Sequence, residues 1–356
     1  MSMIPIIFNS SFQKSTYCDD FISFIWTSRF YTAGDFELIL DISRANDIQI
    51  GYYVGREDEM LKEAYHLGIV EEVKVNMTES RQETITVKGR LLPGLLARRV
   101  IATQTQLEGA AADCISAIVD ENAINTVDSD RKLYSNITLS LPENKGESID
   151  VQYFGEGLLD AVSNLCESYS FGIDMTYIHA SDTLSIQIYE GTDRSFGQYA
   201  NPYIVFSDKY DNLLTSEYTE NFSDYATDVM VGGEGTGASQ TVVWSAENSQ
   251  AGLERFESYL DASSAVTNEN IITQETYEKQ LDELGLLEIA SKATYTSAFS
   301  GEVDFSNVKL NEDVFVGDIV TIQNSKWGMS INSRIVEIIE SIDANGTYTA
   351  IPTFGK

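Results

Sequence analysis

The chain has 356 residues, with 23 Lys and Arg against 55 Asp and Glu, for a formal net charge of −32. At roughly 150 residues per domain that length predicts two or three domains, and 43% hydrophobic with 11% aromatic residues supplies cores that a disordered acidic chain lacks. The charge excludes generic nucleic-acid affinity, which comes from neutralising phosphates with Lys and Arg, and an anionic membrane surface would repel the chain.

No apolar run approaches the roughly 20 residues that span a bilayer. Met1 to Phe12 holds no basic residue ahead of Ile4-Pro-Ile-Ile-Phe8, so no signal peptide and no membrane insertion are expected. Cys18, Cys114 and Cys166 lie far apart without a CxxC pair. They read as free thiols of a protein made in a reducing cytosol, not as a disulfide framework or zinc site.

In chain order, Phe21–Trp26 and Phe36–Leu40 predict strands flanking the turn Tyr31-Thr-Ala-Gly-Asp35. Val70–Val75 and Glu83–Lys88 alternate with period two around the polar connection Asn76–Gln82, and Leu91–Arg99 predicts a short helical turn. Residues 1–103 are therefore expected to form a small antiparallel β domain closed as a barrel. From 104 to 200 the pattern turns α+β. Ala111, Cys114, Ile115, Ile118 and Val119 have helical spacing, as do Leu158, Leu159, Val162, Leu165, Cys166 and Tyr169. Strands are predicted at Asn136–Leu141, Ile149–Phe154, Phe171–Ile178 and Leu184–Tyr189. Residues 201–356 predict a second tube-like β domain with a helical insertion at about 250–292. Its strands are Tyr203–Ser207, Asp228–Val231, Thr241–Trp244, Asp318–Gln323, Arg334–Ile342 and Thr347–Ile351. The helix Thr273–Lys292 is capped by Thr273, has Glu275 and Glu278 near its start, and puts Tyr277, Leu281 and Leu284 on one face. Ala344-Asn-Gly346 joins the last two strands, and Asn-Gly predicts a tight type I′ hairpin.

An ungapped comparison of residues 51–90 with 317–356 suggests an internal duplication. Gly51, Val54, Ile69, Val70, Glu71, Ile85 and Gly89 meet Gly317, Val320, Ile335, Val336, Glu337, Ile351 and Gly355, and Val73 meets Ile339. Three copies of a chain with two such units would present six similar units.

The chemistry-bearing residues read blandly. Neither His66 nor His179 lies near a Gly-x-Ser-x-Gly elbow, so both read as surface or loop-end histidines and no catalytic residue is expected. Gly232-Gly-Glu-Gly-Thr-Gly237 lacks the ending and spacing of a phosphate loop and reads as a connection between strands. Asp128-Ser-Asp130 opens like a calcium loop but lacks its closing Glu, leaving an acidic turn. No metal or cofactor is expected. One charge feature stands out: Arg81, Lys88, Arg90, Arg98 and Arg99 face a single acid, Glu83, between residues 81 and 99. That segment is the candidate interface, suited to acidic surfaces including a second copy of the chain.

Several stretches in order resemble the siphophage tail hub proteins, similar in fold to the baseplate hubs of contractile phages. They are Trp26-Thr-Ser-Arg-Phe-Tyr-Thr-Ala-Gly-Asp-Phe-Glu-Leu38, Gly68-Ile-Val-Glu71, Val87-Lys-Gly-Arg-Leu-Leu92 and Leu95-Leu-Ala-Arg-Arg99. Tyr189-Glu-Gly-Thr-Asp-Arg-Ser195, Val205-Phe-Ser207 with Asn212-Leu213, and Val229-Met-Val-Gly-Gly-Glu-Gly235 follow. Gly317-Asp-Ile-Val320, Arg334-Ile-Val-Glu-Ile338 and Thr353-Phe-Gly355 complete the series. The resemblance implies a structural homotrimer at a virion's tail tip or baseplate. Its two tube-like β domains per chain make a pseudo-sixfold ring between the hexameric tail tube and trimeric tip or fibre proteins, around an acidic channel for DNA. The series ends without the long extension on which relatives carry wall-degrading domains, so enzymatic activity is not expected. A tail-tip cell-wall hydrolase and a carbohydrate-binding tail module are the alternatives.

Overall fold

The structure, a computed structural model, describes residues 3–77, 83–215, 217–219, 223–263, 273–292, 298–300, 303–304 and 308–355. The first part supplies β1 (Pro5–Phe8), β2 (Lys14–Tyr17), β3 (Ser23–Arg29), β4 (Asp35–Asp41), β5 (Tyr53–Arg56), β6 (Ala64–Tyr65), β7 (Gly68–Ile69), β8 (Glu72–Met77) and β9 (Glu83–Arg90). The alternation in β3, β4 and β9 sends Phe24, Trp26, Phe36, Leu38, Leu40, Ile85 and Val87 into one core. Over them lies a second sheet in the order β2-β1-β5-β7. β1 and β5 are buried along their whole length, because Ile7 and Val54 enter that core while Ile6, Phe8 and Tyr53 enter another on the opposite face. A strand covered on both faces reads as an apolar run without alternation.

That other core belongs to the α+β part, built from β10 (Thr105–Ala110), α1 (Ala111–Val119), β11 (Ile137–Ser140), β12 (Ser148–Tyr153), α2 (Leu158–Tyr169), β13 (Gly172–Ile178) and β14 (Thr183–Tyr189). Both predicted helices form. β10 was not predicted, since only Thr105 and Leu107 mark its inner face. β6 pairs with β13, Tyr65 opposite Tyr177, so the first part lends a strand to the second. The cluster runs without a break from Phe8, Tyr53 and Ile69 to Ile115, Leu165 and Ile186.

The remainder supplies β15 (Val205–Ser207), β16 (Glu217–Thr219), β17 (Asp228–Gly232), β18 (Val242–Ser245), β19 (Glu257–Asp261), α3 (Gln274–Lys292), β20 (Ala298–Ser300), β21 (Ile319–Asn324), β22 (Met329–Asp343) and β23 (Tyr348–Gly355). Two expectations need correction. Glu257–Asp261, placed inside the helical insertion, is a strand parallel to β17; its outward aromatic and acids obscure a period of two. The Asn345-Gly346 hairpin is real but is not type I′. Only Gly346 takes a positive φ, +77°, and the Gly346 N–H bonds the Asp343 carbonyl at 2.9 Å. This is a three-residue loop, with the Asp343 carboxylate accepting from the N–H groups of Asn345 and Thr347 at 2.8 and 2.9 Å. α3 begins as predicted, the Thr276 N–H donating to Thr273 Oγ1 at 3.2 Å, and lays Tyr277, Leu281 and Ile289 against Val229 and Val231.

One ten-stranded sheet joins the two ends of the chain, in the order β16-β20-β23-β22-β3-β4-β9-β8, with β21 on β22 and β15 on β21. Its central joint is β22 against β3, seven residues each from Glu337 opposite Arg29 to Asp343 opposite Ser23. On the core face of that joint sits Glu340, 1% exposed. Arg56 reaches it from β5 with two bonds of 2.6 and 3.1 Å, stands 5.9 Å from the Trp26 ring, and also holds Asp58 at 2.8 Å. The Tyr348 hydroxyl donates to Glu340 at 2.8 Å. Every partner of this buried charge is thus supplied from a different strand, which fixes the joint's register. Glu340→Ala leaves the buried Arg56 with Asp58 as its one carboxylate, and is expected to lower unfolding free energy by about 2–3 kcal/mol in urea denaturation. A loss below about 1 kcal/mol would show the pair to be dispensable.

Candidate functional site

The two ends of the ten-stranded sheet repeat one pattern. In the first, β3-β4-β9-β8 are antiparallel neighbours, and β7, just ahead of β8, pairs with β5. In the second, β16-β20-β23-β22 are antiparallel neighbours, and the start of β22 pairs with β21. Gly51 and Gly317 open β5 and β21 alike: φ is +85° and +95°, and their N–H groups bond the carbonyls of Val70 and Ile335 at 2.9 and 2.8 Å. The ungapped comparison placed Val70 on Val336 instead. The slip comes from the irregularity between Ile335 and Glu337 in β22, and one residue of slip reverses the faces. Beyond it the ungapped identities fail: Ile85 is fully buried, while Ile351, its expected counterpart, is 38% exposed on the solvated face. The strand order is repeated; the residue-for-residue match is not.

The repeat leaves an asymmetry. The last strand of the second set, β22, is joined to the first strand of the first set, β3. The counterparts, β8 and β16, end the row of eight strands and have no further neighbour among the described residues; β15, on the branch through β21, is a separate edge. β8 is a poor edge to leave bare. Val75 and Met77 are 59% and 67% exposed on the face that is core in β9, where Ile85 and Val87 are buried.

The sheet's other face is polar. Asp35, Glu37, Asp41, Glu72, Glu337 and Asp343 share it with Arg29, Lys74, Lys88 and Arg90. The cations are largely answered across strands: Arg29 by Asp35 at 2.5 Å and Glu337 at 2.7 Å, and Lys88 by Glu37. Arg90 is held by Glu71 through bonds of 2.7 and 2.9 Å. Of the five predicted interface residues, then, Lys88 and Arg90 are neutralised within the chain, and Arg81 lies outside the described residues. Arg98 is exposed, and Arg99 donates to the carbonyls of Arg131 and Lys132 at 2.5 and 3.2 Å. The structure thus regroups the basic stretch around Arg131 and Lys132, a proximity no sequence spacing announced.

His66 sits at a loop end between β6 and β7, as expected, with its side chain 38% exposed. It lines a cavity of about 330 Å³ where the first part, the α+β part and the loop at Asn311–Val316 meet. Its Nδ1 lies 2.9 Å from Glu59 and its Nε2 3.1 Å from Asp174 of β13. A ring facing carboxylates at both nitrogens donates twice only as imidazolium. Burial opposes the charge, yet Asp174 and Glu59 outweigh it and hold the ring well above its ordinary 6.5. Burial likewise works against the Glu59 carboxylate, but His66, Lys62 and Arg56 pull it down to about 2. Through these two contacts the ring ties the first part to the α+β part. His179 ends β13 as expected, its ring 6.3 Å from that of Tyr65. Gly232–Gly237 links β17 to β18, and Asp128 caps a short turn at Ser129–Arg131. Among the described residues no group of three or more His, Cys, Asp or Glu could hold a metal ion.

The His66 contribution is complete below pH 6.5 and is lost as pH rises through the raised folded value. The Glu59 contribution is present above its ordinary 4.5 and is lost as pH falls towards about 2. His66→Gln should therefore lower the melting temperature most near pH 5–6, with the deficit shrinking as alkaline pH discharges the native ring; a deficit independent of pH contradicts the bridge.

The sequence profile of the family described as Siphovirus ReqiPepy6 Gp37-like protein matches residues 5–356. No curated protein matches the chain. Among solved structures, the tail protein from Neisseria meningitidis aligns over 100% of this chain and 97% of its own, with TM-score 0.58 and 13% identity. The 43 kDa tail protein of prophage MuSo2 from Shewanella oneidensis aligns over 99% and 98%, with TM-score 0.59 and 12% identity. Prophage tail protein gp18 from Listeria monocytogenes aligns over 99% and 94%, with TM-score 0.51 and 12% identity. At such identities the structures speak for fold alone: β-rich, with few helices, as in phage tail proteins. With nearly its whole length matched, the chain belongs to the Siphovirus ReqiPepy6 Gp37-like family of siphovirus tail proteins.

Proposed function

We propose that the chain is a structural tail hub. Three copies form a pseudo-sixfold ring at the tail tip or baseplate of the virion, joining the hexameric tail tube to trimeric tip or fibre proteins. Each copy carries two tube-like β units, residues about 1–103 and 201–356, with the α+β part and the helical insertion hung beneath them. The single observation that carries this reading is the pair of open ends. β22 and β3 are joined within the chain, and their counterparts β8 and β16 are not. Pairing β8 of one copy with β16 of the next repeats the internal joint between copies, and three such pairings close a ring of six strand sets without edges.

The polar face of the sheet then lines the channel. Its carboxylates outnumber its cations, and those cations are largely paired, so passing phosphates are repelled and do not stick. The hydrolase alternative gains nothing from His66, whose two ring nitrogens are both taken by carboxylates.

A second reading, saccharide binding by the tail, is favoured by one specific surface. Trp244 and Tyr259 flank Met230 in a single row across β18-β17-β19, and both are about half exposed. Gly232 lets the Tyr259 ring lie on the sheet, since a Cβ there would stand 2.3 Å from its hydroxyl. Arg255, gripped by Asp228 and Glu257, lies 5.0 Å from the Trp244 ring. On this reading Trp244→Ala with Tyr259→Ala abolishes pull-down by cell-wall glycan; equal pull-down by the variant, or none by wild type, removes it.

Native mass spectrometry of the purified chain is expected to show three copies. Val75→Pro, which rigidifies the exposed edge strand and ends its ladder, should return single chains with an unchanged circular dichroism spectrum. A wild type that stays single at every concentration contradicts the ring.

A further inference from the structure

One group of cations without an ion pair among the described residues is clustered. Arg98 and Lys132 are exposed, and Arg99 and Arg131 are half-buried beside them. The cluster is locked by its own backbone: Arg99 bonds the carbonyls of Arg131 and Lys132, and Arg131 Nη2 bonds the carbonyl of Val100 at 2.5 Å. Those acceptors are neutral, so geometry is fixed while charge is left uncompensated. None of the four cations takes part in an ion pair among the described residues, whereas Arg29, Arg44, Arg56, Lys88, Arg90 and Arg255 all do. Burial, and then Arg131 and Arg98 close by, pull the Arg99 guanidinium below its ordinary value. A preorganised group of like charges pays for its own repulsion and is relieved by carboxylates arriving from outside.

We infer that Arg98, Arg99, Arg131 and Lys132 form a receptor for the carboxylates of a second copy of this chain, and that Glu217 of β16 and Asp224, a few residues further along the chain, supply them. The inference rests on the ring reading and adds the electrostatic contact that sets its order. The cluster lies near the start of β8: Arg98 ends the turn Leu92–Arg98 that leads out of β9, and the Leu92 N–H bonds the Leu67 carbonyl at 2.9 Å, just ahead of β7 and β8. On the other open end, Glu217 opens β16 and Asp224 follows it; both are exposed. The strand counterpart of β8 meets β3 through an Arg29–Glu337 pair of 2.7 Å. An ion pair across the joint therefore already exists within the chain, and the free ends carry opposite charges to make another. Exposed charges at a rim act mainly on association rate and on the choice of partner, and their effect fades with salt.

The test uses the full chain, following self-association by sedimentation at about 50 and about 300 mM salt. Arg98→Glu with Lys132→Glu touches exposed side chains that form no ion pair among the described residues, so the fold is retained, as far-UV circular dichroism checks. We expect association to weaken about tenfold and its salt dependence to flatten, and Glu217→Lys with Asp224→Lys to do the same. Combining all four changes should restore association to within about threefold of wild type. If the first variant assembles as tightly as wild type with the same salt response, or the combination fails to rescue, the receptor is wrong while the ring stands. A wild type that never assembles sinks both.

Discussion

The pairing of β22 with β3 is the constraint on which the rest of this molecule depends. It brings residues more than 300 positions apart in the chain into one ladder, and so makes a single sheet out of two sets of strands that each have a solvated face and a core face. The buried Arg56–Glu340 pair belongs to this joint. A charge pair in a core contributes little net stability compared with well-packed apolar groups, but leaving either partner alone is costly. Its effect is to reject alternative registers: any slip of β22 against β3 carries Glu340 away from Arg56 and into apolar surroundings.

The same joint explains why the chain has open ends. A row of strands made from two similar sets has one internal junction and two outer ends, and among the described residues nothing covers the exposed Val75 and Met77 of β8. Electrostatics points the same way. With a net charge of −32, copies repel at long range, so contact between them needs local positive charge. Two of the candidate cations, Lys88 and Arg90, are already paired with acids of the same chain. Four other cations, Arg98, Arg99, Arg131 and Lys132, gather without an ion pair among the described residues.

Much of the secondary structure was legible because its signals are local. Both helices of the α+β part, the capped α3, and strands such as β3, β4, β9 and β14 follow from spacing alone. β1 and β5 were obscure because sheets covered on both faces erase the period of two, and β19 because its outward Tyr259 stands among acids. The repeat was visible as Gly51 and Gly317, each opening a strand with positive φ, but the irregularity in β22 shifts register and defeats an ungapped match. The site was harder to read. His66 and Glu59 are seven residues apart, but Asp174 comes from another part of the chain, and Glu340 gives no hint that Arg56 lies opposite. The basic stretch was noticed, yet which of its members keep their charge depends on Glu37 and Glu71, which only pairing across strands reveals.

The most direct test is the structure of the assembled particle by electron cryomicroscopy, resolved well enough to trace the neighbour of β8. The expected result is antiparallel pairing between β8 of one copy and β16 of the next, three times around a closed ring, with Glu37 and Asp343 facing the channel. Finding β8 bare, or bonded to a different protein while the copies touch elsewhere, would contradict it.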